Sequence, residues 1–328
     1  MTMLGRNGPA VSRIGLGCMG MSAFYGPPQD LAESVATIHE ALERGVTLLD
    51  TGDFYGMGHN ELLLREALKG GRRERAFIQV KFGAQRDPRG HFLGIDTRPA
   101  AVKTAISYSL QRLGTDYIDL YQPARLDPAV PIEETVGAIA DLVKTGYVRH
   151  IGLSEMGAKT IRRAHVVHPI AELQIEYSLM SRSIEREILP TLRELGIAVT
   201  AYGVLSRGIL GGTAKGQLHP RDFRAHAPRW QGENLARNQA LADALEALAR
   251  EFDATPVQLA IAWVMSRGED IIPLIGSRNR KQLKDAMGAL ELKLTEEQLA
   301  LIGRTVPAES VAGTRYDAAQ MANLDSER

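Results

Sequence analysis

The chain alternates between short, nearly continuous apolar runs and longer stretches in which apolar residues recur at helical spacing. The short runs cover residues 13–17, 46–49, 76–80, 117–121, 148–152, 171–175, 197–202 and 270–274. Runs of this kind, bounded by turn residues, suit strands covered on both faces. Between the first two, Leu31, Val35, Ile38, Ala41 and Leu42 line one face of a helix over Leu31–Glu43, which Gly45 ends. The same spacing predicts helices over residues 60–69, 99–113 and 132–144, then from the fifth run to His168. It predicts others over 185–195, 235–252, 256–267 and 279–289, and a last one from Thr295. Pro99 and Pro256 suit a first helical turn and Thr255 a cap. Residues 1–12 are turn-rich, and Asn7-Gly8 signals a hairpin. Residues 18–28 and 206–233, a polar stretch with Pro88 and Gly90, and residues 306–328 are expected to be loop or tail.

Eight such repeats predict parallel βα units, and eight units close into a TIM barrel, an α/β fold. No linker or shift of composition divides residues 1–328, so one barrel domain is expected. The rival is an open doubly wound sheet, which needs a glycine fingerprint that opens a helix. Gly15, Gly17 and Gly20 have that spacing, but the MSAFYGPP that follows opens no helix.

Chemistry in a barrel gathers at the carboxyl ends of the strands. Asp50 follows the second run and Lys81 the third, with Tyr55 in a loop between Gly52 and Gly58. An acid, a phenol and an amine so placed form a proton-transfer set; the plainer reading is a buried ion pair beside a loop tyrosine. A free phenol has a pKa of about 10, and a nearby ammonium lowers it. Asp50 is expected to hold Lys81 charged for that purpose.

Composition narrows the partners. The 39 basic and 39 acidic residues cancel, which gives no support to a nucleic acid or an anionic membrane surface. No apolar run is long enough to span a bilayer, and MTMLGRNGPAVSR lacks a signal-peptide core, so a cytoplasmic location is expected. Cys18 stands alone, which excludes intrachain disulfides and a thiolate metal site. The histidines show no metal spacing, and no metal is expected. His59 reads as packing or capping, Trp263 as core, and Trp230 as facing substrate.

The segments LLDTGDFYG, VKFG, GLSE, LQIEYSL, AYGVLSRGILGG and IIPLIGSRN, in that order, resemble the aldo-keto reductases over nearly the whole chain. Within that family the resemblance is to the perakine reductase and pyridoxal reductase-like branch. It implies a barrel closed at its bottom by the N-terminal hairpin, with Asp50, Tyr55 and Lys81 as three members of a catalytic tetrad. It also implies hydride transfer from NADPH to the carbonyl carbon of a small aldehyde or ketone, with Tyr55 protonating the oxygen. The second class of reading is an NADPH-binding redox-sensing or regulatory protein with little turnover. Where the family usually has a histidine, YQPARLD has Ala124. Three outcomes are open there: water, a bulky substrate, or a neighbour such as Gln122 or Arg125 reaching in. Water with a bulky substrate is the favoured expectation.

By the same resemblance Ser154, Glu155 and Gln174 hold the nicotinamide carboxamide, although many members have Asn at position 155. Tyr202 packs on the nicotinamide, or is a strand-end core aromatic. Leu205, Ser206 and Gly208 wrap the pyrophosphate with backbone N–H groups, and Arg207 adds charge. Gly276, Ser277 and Arg278 precede a helix start and match contacts to a 2′-phosphate, which favours NADPH over NADH. A solvated basic helix start is the plainer reading of that stretch. Gln282 and Asp285 match adenine-side positions, with Ala286 where Asn is often found. The oligomeric state is left open.

Overall fold

The computed structural model describes residues 1–6, 8–212, 218–220 and 222–328. An antiparallel hairpin, β1 (Thr2–Met3) and β2 (Ala10–Val11), opens the chain. Its turn includes the expected Gly8, whereas Asn7 lies outside the described residues. There follow β3 (Gly15–Gly17), α1 (Leu31–Glu43), β4 (Leu48–Gly52), α2 (His59–Ala67) and β5 (Phe77–Phe82). A second hairpin, β6 (Ala84–Arg86) and β7 (Phe92–Ile95), precedes α3 (Pro99–Leu113), β8 (Ile118–Pro123), α4 (Ile132–Lys144) and β9 (Val148–Ser154). Then come α5 (Ala158–Val167), β10 (Ile170–Glu176), α6 (Ile188–Leu195), β11 (Ala198–Tyr202), α7 (Gly232–Glu251) and α8 (Pro256–Ser266). The chain ends with β12 (Ile271–Gly276), α9 (Arg280–Met287), α10 (Glu296–Thr305) and α11 (Ala318–Ala322). Among the described residues, β3, β4, β5, β8, β9, β10, β11 and β12 close in that order into a parallel barrel. It is the TIM barrel that the alternation predicts. No helix of the described residues is long and apolar enough to cross a membrane.

Local signals fix the helices. The Asp30 carboxylate accepts from Glu33 N at 2.9 Å and starts α1. Thr255 with Gln258, and Thr295 with Gln298, form reciprocal capping boxes at α8 and α10. The strands run further than their apolar runs. β4 continues through Asp50 to Gly52, in register with Gln79 and Lys81 of β5, and Lys81 is in turn opposite Gln122 of β8. A ladder needs only backbone groups, so it persists where the inward side chains turn polar.

That turn divides the barrel interior into levels. At the bottom Leu48, Phe77, Leu120, Ala198, Ile272 and Leu274 pack with Leu4 and Val11 of the hairpin. Gly15 makes room there, since a Cβ on it would lie 2.4 Å from the Leu48 Cδ2. One pleat higher the interior holds Gln79, Gln122, Glu172 and Thr200, all 0% exposed. Gln122 donates to Glu172 Oε1 at 2.8 Å and to Leu153 O at 2.9 Å, and accepts from Gln79 Nε2 at 3.2 Å. Thr200 donates to the other Glu172 oxygen. Gly152 admits this carboxylate, because a Cβ there would lie 2.7 Å from Glu172 Oε1.

Three expectations are corrected. The polar stretch with Pro88 and Gly90 is the β6–β7 hairpin rather than a loop, with Asp87 Oδ1 holding the turn through Arg89 N and His91 N. Trp230 is 6% exposed and belongs to the core; it does not face outward to a ligand. Residues 306–328 are not a loose tail: they carry α11 and bury Arg315 to 6% exposure.

Candidate active site

At the carboxyl end of the barrel, alternation brings Asp50 of β4, Lys81 of β5 and Gln174 of β10 to the same interior level. All three are about as buried as the core, at 3% exposure each. Lys81 Nζ is ion-paired with Asp50 Oδ1, which also accepts from Gln79 Nε2 at 3.1 Å and Gln174 Nε2 at 2.8 Å. Tyr55 begins the short helical turn Tyr55–Gly58, and its ring centroid lies 5.2 Å from Lys81 Nζ. Phe54 and Phe24 pack edge-on against that ring, with centroids at 4.9 and 6.1 Å. Thr51 binds Asn60, which reaches Cys18 O and Ser22 Oγ, so the tyrosine turn is tied to the loop after β3. His59 Nδ1 lies 2.9 Å from Ser22 Oγ in the same tie.

The electrostatics reverse one expectation. Burial pushes the Tyr55 phenol well above its ordinary range, Asp50 adds to the rise, and the opposing cation is Arg125 rather than Lys81. Burial also lowers the Lys81 ammonium, with Asp50 acting against that fall. Tyr55 is thus held as a neutral phenol, suited to give a proton. Gln122 stays in the polar floor, and Pro123 does not break the alternation: Ala124 N donates to Phe82 O at 2.8 Å. Ala124 is buried, and its neighbour Arg125 donates to Ala124 O at 2.6 Å and to the Tyr316 hydroxyl at 3.3 Å.

The other sequence-derived candidates divide into those left available and those already engaged. Ser154 Oγ at the end of β9 and Ser277 Oγ just after β12 are buried with no hydrogen-bond partner among the described residues. Gly276 ends β12 with nothing within 4 Å of where a Cβ would stand. Gln174 gives its amide N–H to Asp50. The Arg278 guanidinium donates to Tyr25 O at 3.0 Å and Pro27 O at 2.9 Å, and its backbone N–H to Gln282 Oε1 at 2.8 Å. Arg280 pairs with Glu33 at 3.0 Å, and Asp285 accepts from Thr255 Oγ1 at 2.8 Å. In the loop after β11, Ser206 N and Gly208 N close turns onto Gly203 O and Leu205 O. Ser206, Arg207 and Gly208 have positive φ of 48, 61 and 105°, so three successive left-handed residues fold this loop tightly.

Glu155 is engaged most completely. Its Oε1 accepts from Glu176 N at 3.0 Å, the Tyr202 hydroxyl at 2.7 Å and Arg315 Nη1 at 2.9 Å. Its Oε2 accepts from Arg315 Nη2 at 2.8 Å and Ser326 Oγ at 2.6 Å. Burial would raise this carboxyl, but Arg315 overrides burial and holds it well below the usual carboxylate range. Glu155 is therefore a structural anion committed to the chain's own tail. The Tyr202 hydroxyl lies 2.9 Å from that of Tyr316, whose ring is covered by Arg207 at 4.2 Å. Sequence reasoning missed Arg315 and Tyr316. The one local signal is an Arg-Tyr pair after Gly313 in an otherwise polar segment, and it does not say where the segment docks.

Comparison with known proteins accords with this architecture. A curated relative, probable aldo-keto reductase 1 of Glycine max, is 45% identical over 316 residues, covering 95% of this chain and 90% of its own. Among solved structures, the glycerol dehydrogenase of Gluconobacter oxydans superposes with a TM-score of 0.85 at 29% identity, covering 95% of this chain and 97% of its own. The holo form of an aldo-keto reductase from Bacillus halodurans gives 0.76 at 28% identity, covering 93% and 96%. The sequence profile of the aldo/keto reductase family matches residues 13–306, and the chain belongs to that family.

Proposed function

We propose that the protein is an NADPH-dependent reductase of small aldehydes or ketones, with Tyr55 as the proton donor. The observation that carries this reading is the buried Asp50–Lys81–Tyr55 set, in which a neutral phenol stands over an ion pair at the open end of the barrel. The orphaned hydroxyls of Ser154 and Ser277 support a bound nicotinamide cofactor, since buried polar groups without partners are rare unless a ligand completes them. The cofactor supplies the hydride. Ser154 and Gln174 would hold its carboxamide, Tyr202 would border its ring, and the β11 loop would follow its pyrophosphate. Ser277 and Arg278 would meet the 2′-phosphate, which requires Arg278 to exchange its carbonyl partners in the loop after β3.

In the reaction Tyr55 gives its proton to the carbonyl oxygen as charge develops there. Arg125, with Lys81 held in place over the ring by Asp50, then faces the resulting phenolate as a fixed cation, a preorganised arrangement that needs no solvent rearrangement. Glu155 has no part in it, because its oxygens are taken. The test is NADPH oxidation against a panel of small carbonyl compounds, beside titrations of NADPH and NADH. Turnover with tighter NADPH binding is expected. Tight binding with no turnover on any carbonyl would favour a cofactor-sensing protein, and tighter NADH binding would overturn the assignment of Ser277 and Arg278.

A further inference from the structure

Most arginines near the mouth of the barrel are neutralised. Arg207 and Arg229 face Glu176 at 3.2 and 3.5 Å, Arg315 faces Glu155, and Arg224 faces Asp222 at 2.6 Å. Two are not. Among the described residues, neither Arg125 nor Arg86 forms an ion pair with a carboxylate; Arg86 packs on the rings that flank Tyr55, and Arg125 follows Ala124 at the carboxyl end of β8. Arg86 lies over the rings of Phe24 and Phe54, at 5.3 and 5.9 Å, and these are the two rings packed against Tyr55. Its Nη1 is steadied by Gly90 O at 2.7 Å. Arg125 is steered by Ala124 O and the Tyr316 hydroxyl, and its charge acts on both Tyr55 and Lys81. A guanidinium stays charged at any pH the protein meets. Two cations that lack an ion-pair contact, set on the elements around a proton donor, make a site complementary to an anion.

Resting on the reductase reading, we infer that the substrate is a small carbonyl compound bearing a negative group, a carboxylate or a phosphate ester, which Arg125 and Arg86 hold while Tyr55 meets the carbonyl. Arg125 follows β8, the strand that pairs with β5 at Lys81, and is assigned to the anion on the side of the reacting atoms. Arg86 rides on the β6–β7 hairpin at the rim and sets the reach of the anion. The chemistry balances with the reductase reading alone. The carbonyl carbon gains hydride from the reduced cofactor, the oxygen gains the Tyr55 proton, and the anionic group is unchanged.

The experiment compares kcat/KM for matched pairs: 4-carboxybenzaldehyde with its methyl ester, and glyceraldehyde 3-phosphate with glyceraldehyde. The wild type should prefer at least one charged member on the order of tenfold or more, as a charge-assisted hydrogen bond allows. Whichever pair shows the larger ratio identifies the anion. Arg125→Gln and Arg86→Gln should each bring that ratio towards one, Arg125→Lys should keep part of it, and added salt should shrink it. Equal or better use of the neutral members by the wild type, or ratios unmoved in both Gln variants, would overturn the inference and leave the reductase reading intact. A fall in NADPH affinity with unchanged ratios would assign Arg125 to the cofactor and overturn it likewise. If the wild type reduces none of the four, the reductase reading fails. Thermal protection by 4-carboxybenzoate or inorganic phosphate, and its loss in Arg125→Gln, then reads the anion site without turnover; no protection would overturn that as well.

Discussion

In the proposed reaction the Tyr55 phenol gives the proton, and its environment resolves a contest between two forces. Proximity of an ammonium favours phenolate, and desolvation favours phenol. Desolvation prevails because Tyr55 is 5% exposed and lies between Phe24 and Phe54, while Asp50 spends the positive charge of Lys81. Tyr55→Phe keeps the ring packing and removes the proton. It should leave NADPH affinity nearly unchanged and lower turnover on the order of 10²-fold or more, measured by titration and steady-state kinetics. Near-normal turnover in that variant would mean that another group supplies the proton. The trio was legible in the sequence because it lies at the ends of apolar runs. The direction of the Tyr55 shift was not, because it depends on which rings and which arginine surround the phenol.

The strands explain both what could be read and what could not. Leu31–Glu43, Pro99–Leu113 and Ile132–Lys144 are helices with the bounds expected from spacing, since each has a continuous apolar face and a stop signal. Strands β3 and β11 end where expected, and the other barrel strands were read one to three residues too short at their carboxyl ends, as at Val46–Leu49 against the observed Leu48–Gly52. An apolar run marks only the part of a strand that is dry on both sides. Just past their runs β4 and β8 carry Asp50 and Gln122 inward, within theirs β5, β10 and β11 carry Gln79, Glu172 and Thr200, and these residues complete one another across the barrel interior. Within this layer burial pushes the Glu172 carboxyl up to about 8, with Thr200 opposing and Asp50 adding to the rise. In the unfolded chain such a group ionises at about 4.3. The fold thus retains a proton that the unfolded chain has lost. The stability this contributes is full below the lower value and disappears as pH rises through the higher one. Thermal midpoints should fall between pH 5 and pH 9, taken as about one unit beyond each of these two values. Glu172→Gln, which keeps the neutral shape, should flatten part of that fall. Asp53, raised by burial to about 7, accounts for a remaining slope of the same sign. An unchanged slope in Glu172→Gln would show that Glu172 does not titrate in this range.

At the scale of the whole molecule, the segment after α10 returns across the barrel mouth and fastens to the loop after β9. Asp325 accepts from Gly157 N at 2.7 Å, Ser326 N donates to Glu155 O at 3.3 Å, and Arg315 joins Glu155, Glu176 and Glu327. The docking joins positions far apart in sequence, and nothing in the local pattern of residues 306–328 announces it. Arg315→Ala would leave Glu155 buried without its main cation and take from Glu176 one of three, and should cost about 3–5 kcal/mol in chemical denaturation. Combining it with Glu155→Gln should recover part of that loss, and a simple sum of the two single effects would argue against direct coupling. The pair also has a historical consequence. A lineage that sheds Arg315 alone passes through a form with Glu155 buried and uncompensated, whereas one that sheds Glu155 alone leaves Arg315 paired with Glu176 and Glu327. The Glu155–Arg315 clasp is therefore open to dismantling from one side only, with Glu155 the charge that can go first and Arg315 the one that must follow.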